Sequence, residues 1–205
     1  MKQSSVKWFA YWFSFVFLII ACSGTKLTHK QVNEAYKGKP VSDILVIAIT
    51  GNEDSRRSFE RKFVAHLKSA GIEAISSEDA IPMPADLKMK KETILNAVNQ
   101  FENDAVIITH LIDKKEKEVY TRGGGAHRGY YGFYNSRYSY SYAPSYSSTS
   151  KTILLETNLY DVKTEKLIWS GKSKTWSKDS KDRIINDVIK VVINDLQNNK
   201  LISPK

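Results

Sequence analysis

Apolar residues between positions 44 and 112 form continuous runs that alternate with helical stripes. The runs are typical of strands buried on both faces, and they predict strands at Ile44–Ile49, Ile72–Ser76 and Ala105–Ile112. Between them, apolar residues recur at helical spacing and predict two helices. The first is expected to have Asp54 or Ser55 as its N-cap and to end at Gly71. The order β-α-β-α-β predicts parallel pairing through right-handed crossovers.

The second half of the chain predicts antiparallel strands and a final helix. Lys151–Asp161 and Lys166–Trp176 flank a turn and are expected to pair as a hairpin. Ser180–Asn199 carries a broad apolar stripe, typical of a helix that covers a sheet. The sequence therefore predicts an α/β (α+β) fold. We expect a single-domain sandwich whose mixed sheet of about five strands, in the order β-α-β-α-β-β-β-α, has helices packed on it.

The amino terminus has the composition of an export signal. Lys2 and Lys7 precede Trp8–Ala21, in which Ser14 is the only polar residue. This run is shorter than the roughly 20 apolar residues of a membrane-spanning helix and typical of a signal-peptide hydrophobic region. It ends at Ile19-Ile20-Ala21-Cys22, which resembles the bacterial lipobox. The alternatives are an ordinary signal with a chance cysteine and an uncleaved anchor.

The lipobox resemblance implies that residues 1–21 are removed and that Cys22 carries diacylglycerol and an N-acyl lipid such as palmitate. Two or more acyl chains anchor a protein stably to a membrane. The resemblance places the protein in the cell envelope. Ser23 after the cysteine further implies the outer membrane, facing the periplasm, in a Gram-negative host. Cys22 is the only cysteine in the sequence, which excludes an internal disulfide.

These features predict the organisation of the chain. Residues 22–42 are polar and are expected to form the lipidated N-terminus and a tether, 43–200 the α/β domain, and 201–205 a tail. The formal net charge is +9. A basic protein often binds nucleic acid, but export excludes that partner. Anionic lipid, lipopolysaccharide, a glycan or an acidic protein surface are the remaining candidates, and a merely solvated lysine surface is the alternative.

Residues 120–150 have a composition that a buried core does not explain. They hold eight of the 11 tyrosines and five of the ten glycines, and no Leu, Ile, Val or Met. Such a segment is predicted to be a disordered loop, an extended hairpin or an adaptable binding surface. The candidate partner contacts are its arginines and clustered tyrosines: Arg122, Arg128, Tyr130, Tyr131, Tyr134, Arg137 and Tyr138.

The sequence carries no recognisable catalytic motif. It lacks the H-E-x-x-H, G-x-S-x-G, Walker and C-x-x-C patterns, and its four histidines are not spaced as metal ligands. The closeness of His110 and Asp113 in the sequence is explained well by chance. Arg56 and Arg57 open the first helix, where the dipole disfavours cations, so they mark either an anion or partner contact or a solvated turn. We predict no catalytic, cofactor-binding or metal-binding residue, no cofactor beyond the covalent lipid, and no enzyme activity.

Residues 44–74, the Tyr/Gly-rich stretch and residues 154–176 together resemble an uncharacterised bacterial lipoprotein family with a small α/β domain. The arrangement is also distantly similar in fold to the TolB N-terminal domain and the curli secretion lipoprotein. This resemblance implies a fold and no activity. The leading hypothesis is a non-enzymatic factor that docks an envelope protein or self-assembles through residues 120–150. The alternative is a binding protein for a cell-wall glycan or lipid, which requires an apolar pocket beside the sheet. An unrecognised hydrolase is the third.

Overall fold

A computed structural model describes residues 24–82, 88–112, 129–141, 152–176 and 181–204. The predicted signal peptide and Cys22 lie outside these residues. The described part contains six strands and five helices. In chain order they are β1 Thr25–Val32, β2 Asp43–Ile49, α1 Glu53–Ser69, β3 Glu73–Ser76, α2 Ser77–Ala80, α3 Lys91–Gln100, β4 Ala105–Ile112, α4 Gly129–Ser141, β5 Thr152–Asp161, β6 Leu167–Trp176 and α5 Lys181–Asn198.

The strands form one mixed sheet in the order β1-β6-β5-β4-β2-β3. Strands β3, β2 and β4 run parallel, as the alternation of strands and helices predicts. The pairs β4–β5, β5–β6 and β6–β1 are antiparallel, and β5 and β6 form the expected hairpin. The predicted mixed α/β single domain with helices packed on its sheet is therefore confirmed.

Strand β2 shows why both faces of the sheet are covered. Its alternate residues Ile44, Val46 and Ala48 belong to a core shared with α1 and α5. Leu45, Ile47 and Ile49 point the other way, into a second core shared with α3 and α4. A strand buried on both faces needs a continuous apolar run, which is what the sequence provides.

The prediction that residues 22–42 form a tether is wrong for residues 25–32, which are strand β1. The backbone of β1 pairs with β6, and the Thr25 and Thr175 hydroxyls hydrogen-bond at 2.7 Å. The Lys30 ammonium donates to Asp195 of α5 at 2.7 Å. The strand is mostly polar because it lies at the sheet edge with much of its surface exposed. Hydrophobic periodicity does not detect such a strand.

Two further corrections concern residues 120–150 and the carboxyl terminus. Residues 129–141 are helix α4, so a loop or extended hairpin is wrong for that part. The predicted tail at 201–205 begins inside the domain, because Leu201 and Ile202 are buried. The Val41 amide donates to the Leu201 carbonyl at 2.8 Å, which holds this end of the chain beside β2.

The ends of α1 were predicted in part. Gly71 follows the helix with φ of +79°, the left-handed conformation that glycine adopts without strain. The N-cap is Asn52 instead of Asp54 or Ser55, because the Asn52 side chain accepts from the Ser55 amide at 2.8 Å. Asparagine is as good an N-cap as aspartate or serine, so residue type alone does not separate the candidates.

Candidate functional site

The sheet has a carboxyl end, which we define as the end where the parallel strands β2 and β4 finish. Antiparallel pairing brings three further strand termini there. Leu154, near the start of β5, pairs with Ile112 of β4. Thr175, near the end of β6, pairs with Thr25 at the start of β1. In sheets with parallel strands, ligands bind preferentially beyond the carboxyl ends of those strands.

A pocket of about 240 Å³ opens at this carboxyl end. Two helices and three strands converge on it: α1 and α5 cover it, and the ends of β2, β4 and β5 form its floor. Its lining is almost entirely aliphatic and aromatic. The apolar lining residues are Ala48, Ile49, Phe59, Leu111, Ile153, Leu155, Ile184 and Ile185.

The polar lining residues are Thr50, Ser55, Thr109 and Lys181, and the last three hydrogen-bond within the protein. The Lys181 ammonium donates to the Ser55 hydroxyl at 2.7 Å at the rim. The Thr109 hydroxyl on the floor lies 3.1 Å from that of Thr157. Leu111 is 40% exposed and is the only exposed large hydrophobic residue among those described. The pocket therefore offers an apolar surface to a ligand and few free hydrogen-bonding groups.

A buried carboxylate, Glu60, lies on α1 next to the lining residue Phe59. It accepts from the Ala48 amide at 2.8 Å and from the Ser77 hydroxyl at 2.8 Å. The Arg56 guanidinium is 3.5 Å from its second oxygen. Burial raises the pKa of Glu60 to about 7, against the lowering effects of Arg56 and these hydrogen bonds. Because its donors are all protein groups that join α1 to β2 and α2, Glu60 is structural.

The same contacts decide the interpretation of Arg56 and Arg57. Arg56 is buried and pairs with Glu60, so neither an anion contact nor a solvated turn describes it. Arg57 is exposed, with its Nε 3.3 Å from Glu78, and it also pairs with Glu53. The acidic side chains offset the unfavourable position of both cations near the helix N-terminus.

The structure moves several predicted partner contacts into the core. Tyr130 and Tyr134 are 0% and 1% exposed, and they pack with Phe133 against the sheet. The Tyr134 hydroxyl accepts from the Met89 amide at 2.7 Å. A contact role is therefore wrong for these two tyrosines, because the sheet face already occupies them. Tyr131 is half-buried beside them.

Arg137 is half-buried and is held by contacts within the protein. Its Nη2 lies 3.1 Å from Glu156 Oε2, and its guanidinium stacks 5.4 Å from the Phe133 ring centroid. Burial, and to a smaller extent the positive charge of Arg137, lowers the pKa of His110 to about 3. This histidine is therefore neutral. Arg122 and Arg128 lie outside the described residues, as does Asp113, and nothing is described of the Tyr138 side chain.

Two further features, a metal-binding cluster and a membrane-spanning helix, are absent from the described residues. No group of three or more His, Cys, Asp or Glu side chains among them is placed to hold a metal ion. No helix in the described ranges is both long enough and apolar enough to cross a bilayer. The site that these ranges do form is the apolar pocket in a mixed α/β domain.

Comparisons with known proteins give similarities of structure. No family model and no curated protein sequence matches the chain. The structure is similar to the PelC dodecamer from Paraburkholderia phytofirmans, with 13% identity, a TM-score of 0.46, and coverage of 82% of this chain and 94% of that chain. It is also similar to lipoprotein GNA1162 from Neisseria meningitidis, with 16% identity, a TM-score of 0.41, and coverage of 77% and 97%. The similarity to TolB and the curli lipoprotein stays a prediction.

Proposed function

We propose that this chain is a non-enzymatic lipoprotein of the cell envelope that holds the hydrocarbon part of a lipid in the pocket at the carboxyl end of its sheet. The observation that carries the proposal is the apolar pocket itself. The anchor belongs to the proposal as well: lipid on Cys22, in the outer membrane and facing the periplasm. The lipobox-like residues 19–22 and Ser23 support that location.

The lining favours a lipid over a glycan. A sugar needs several convergent hydrogen-bonding groups, whereas the Thr109 and Ser55 hydroxyls are already engaged within the protein. Each methylene group removed from water contributes roughly 0.8 kcal/mol. The volume of about 240 Å³ is below the roughly 300 Å³ at which drug-sized sites begin. It therefore suits one segment of an acyl chain better than a whole amphiphile.

Protein docking through residues 120–150 is less well supported than lipid binding. Tyr130, Phe133 and Tyr134 of helix α4 lie in the core, and Arg137 pairs with Glu156. The hypothesis remains for Arg122, Arg128 and Tyr138. Self-assembly through the edge strand β1 is opposed by Lys26, because charged residues on an edge strand disfavour pairing with another chain.

The proposal predicts that a lipid co-purifies without a covalent bond. Native mass spectrometry of the full-length protein from membranes should show the mass of one phospholipid beyond the covalent lipid on Cys22. Ile153→Trp places a large ring in the pocket and should remove at least four-fifths of that adduct, since the ring occupies the acyl-chain volume.

Leu154→Trp is the matched control. Leu154 is the next residue of β5, has similar exposure, and points to the opposite sheet face. Its adduct should equal that of the unchanged chain. The absence of any non-covalent lipid from the unchanged chain, or equal loss in both variants, contradicts lipid binding in the pocket.

A further inference from the structure

The short connection between Cys22 and β1 limits how far the domain can stand from a membrane. Strand β1 begins at Thr25, three residues after Cys22. An extended chain spans at most 3.3–3.6 Å per residue, so this connection reaches about 11 Å. A lipid on Cys22 would therefore hold the start of β1 close to the head groups, because no long tether intervenes.

The start of β1 lies at the same end of the sheet as the pocket. Thr25 pairs with Thr175 near the end of β6, and β6 in turn pairs with the start of β5. Ile153, near that start, lines the pocket, and so does Leu111 near the end of β4. Whatever holds Thr25 near a membrane thus holds the pocket mouth and the exposed Leu111 on the membrane side.

Three lysines on β1 and β6 form a basic patch, which we define as Lys26, Lys172 and Lys174, and Lys26 and Lys174 are its members nearest the carboxyl end. The patch lies on the sheet face opposite to that of Ile153, because Lys174 pairs with Leu154. Lys26 pairs directly with Lys174 across the two strands, although like charges placed opposite each other destabilise a sheet. Neither strand contains an acidic residue, although Glu156 of the adjacent β5 lies opposite Lys172 and pairs with Arg137. Among the described residues, none of the ion pairs involves a member of this patch. An anionic surface would relieve the repulsion.

Both ends of the sheet carry acidic and basic side chains. The opposite end carries carboxylates, among them Asp104, which accepts from the Ser42 and Asp43 amides, and Asp161 at the β5–β6 turn. Acids also lie at the carboxyl end, but Glu53 pairs with Arg57, and Asp182 lies 3.5 Å from Lys62. Lys163 and Lys166 at the β5–β6 turn also lie outside the described ion pairs, so it is the position of Cys22, and not the charge of the two ends, that selects the carboxyl end as the membrane side.

We propose that the carboxyl end of the sheet is a membrane-docking surface, on which the basic patch binds anionic head groups and the pocket takes an acyl chain of a bilayer lipid. This inference rests on the proposed function, since it takes the Cys22 anchor as given. Leu111 lies at the boundary between head groups and hydrocarbon. The lysines supply an electrostatic attraction that salt screens within a Debye length.

The experiment uses full-length lipidated protein in vesicles of phosphatidylethanolamine and phosphatidylglycerol. Leu111→Cys provides one reactive thiol for an environment-sensitive dye, because acylated Cys22 does not react. The control Lys163→Cys places the same dye at the exposed β5–β6 turn, at the opposite end. Brominated phospholipids should quench the dye at position 111 at least threefold more than the dye at position 163. Equal quenching, or none at position 111, overturns the orientation.

A charge arm tests the basic patch. Lys26→Glu with Lys174→Glu should at least halve the quenching at position 111 in the anionic vesicles and leave it unchanged in neutral phosphatidylcholine vesicles. Lys163→Glu with Lys166→Glu is the matched control and should have no effect. Loss of quenching in both vesicle types, or in neither, contradicts head-group binding by the patch.

Failure of this inference is distinguishable from failure of the proposed function. Intact mass of the same sample reports the covalent lipid on Cys22 independently of orientation. An acylated protein with an unquenched dye at position 111 overturns the docking surface alone. A protein without acyl chains overturns the anchor on which both depend.

Discussion

At the scale of single residues, two buried groups with opposite pKa shifts control how stability depends on pH. Burial raises the pKa of Glu60 to about 7 from an ordinary value of 4.5, so its protonated form is favoured in the folded chain. Burial lowers the pKa of His110 to about 3 from 6.5, so its neutral form is favoured. The folded state binds an extra proton through Glu60 and one fewer through His110.

These shifts predict opposite slopes of the unfolding free energy against pH. The Glu60 contribution to stability is complete below pH 4.5 and is lost as the pH rises through about 7. The His110 contribution is complete above pH 6.5 and is lost as the pH falls towards about 3. Between pH 4.5 and 6.5 the two slopes oppose each other, so the unchanged chain shows only their difference.

The Glu60→Gln variant separates the two effects. Its unfolding free energy should rise relative to that of the unchanged chain by about 2 kcal/mol between pH 5 and 7, since each pKa unit corresponds to about 1.4 kcal/mol. Denaturant unfolding followed by circular dichroism measures it. His110→Gln should reveal the decline due to Glu60, because it removes the opposite slope below pH 6.5. Parallel curves for Glu60→Gln and the unchanged chain would show that Glu60 does not titrate in this range.

The residue-scale roles were the hardest to predict from sequence. Arg56 and Arg57 are adjacent and chemically alike, yet Arg56 is buried against Glu60 and Arg57 is exposed. Of the adjacent Tyr130 and Tyr131, the first is buried and the second is only half-buried. Which neighbour is buried depends on the rotation of a helix over the sheet. The sequence fixes that rotation through an apolar stripe, and the α4 segment has tyrosines in place of aliphatic residues.

At the scale of secondary-structure elements, α4 is both the main departure from expectation and part of the core. The aromatic residues Tyr130, Phe133 and Tyr134 recur at spacings of three and one and pack against β2 and β4. Aromatic side chains bury large areas, so three of them replace the missing aliphatic residues. Removing residues 120–150 is therefore expected to destabilise the domain.

Truncation of Phe133 tests this role of α4. Phe133→Ala should lower the unfolding free energy by about 3 kcal/mol or more, because it removes a fully buried ring and leaves a cavity. Tyr131→Ala, on the half-buried face of the same helix, should cost less than about 1 kcal/mol. Urea unfolding measures both. Equal losses would contradict the packing of α4 on the sheet.

The elements predicted correctly share one property. Strands β2 and β4 are continuous apolar runs, and helices α1 and α5 carry long apolar stripes, because each packs against the core. Strand β1 is polar and depends on backbone pairing with β6 and on the contact of Lys30 with Asp195. No local pattern reports such non-local partners.

At the scale of the whole molecule, the pocket could not be predicted because it belongs to no single segment. Its lining comes from positions as far apart as Ala48 and Ile185, and a continuous apolar run looks the same whether it is filled or lines a space. The predicted α/β architecture nevertheless places the carboxyl ends of parallel strands together, where such sites occur. Lys26 and the pocket lie at the same end of the sheet only in the folded chain.

Photo-crosslinking with a defined lipid is the most direct test of lipid binding at a membrane-facing pocket. Full-length protein would be reconstituted with a phospholipid that carries a diazirine on one acyl chain, irradiated, digested and mapped by mass spectrometry. Crosslinks should concentrate on the peptides that contain Leu111, Ile153 and Ile184, and Ile153→Trp should suppress them while Leu154→Trp does not. Crosslinks spread evenly over the surface, or concentrated at the Lys163 turn, would contradict the account.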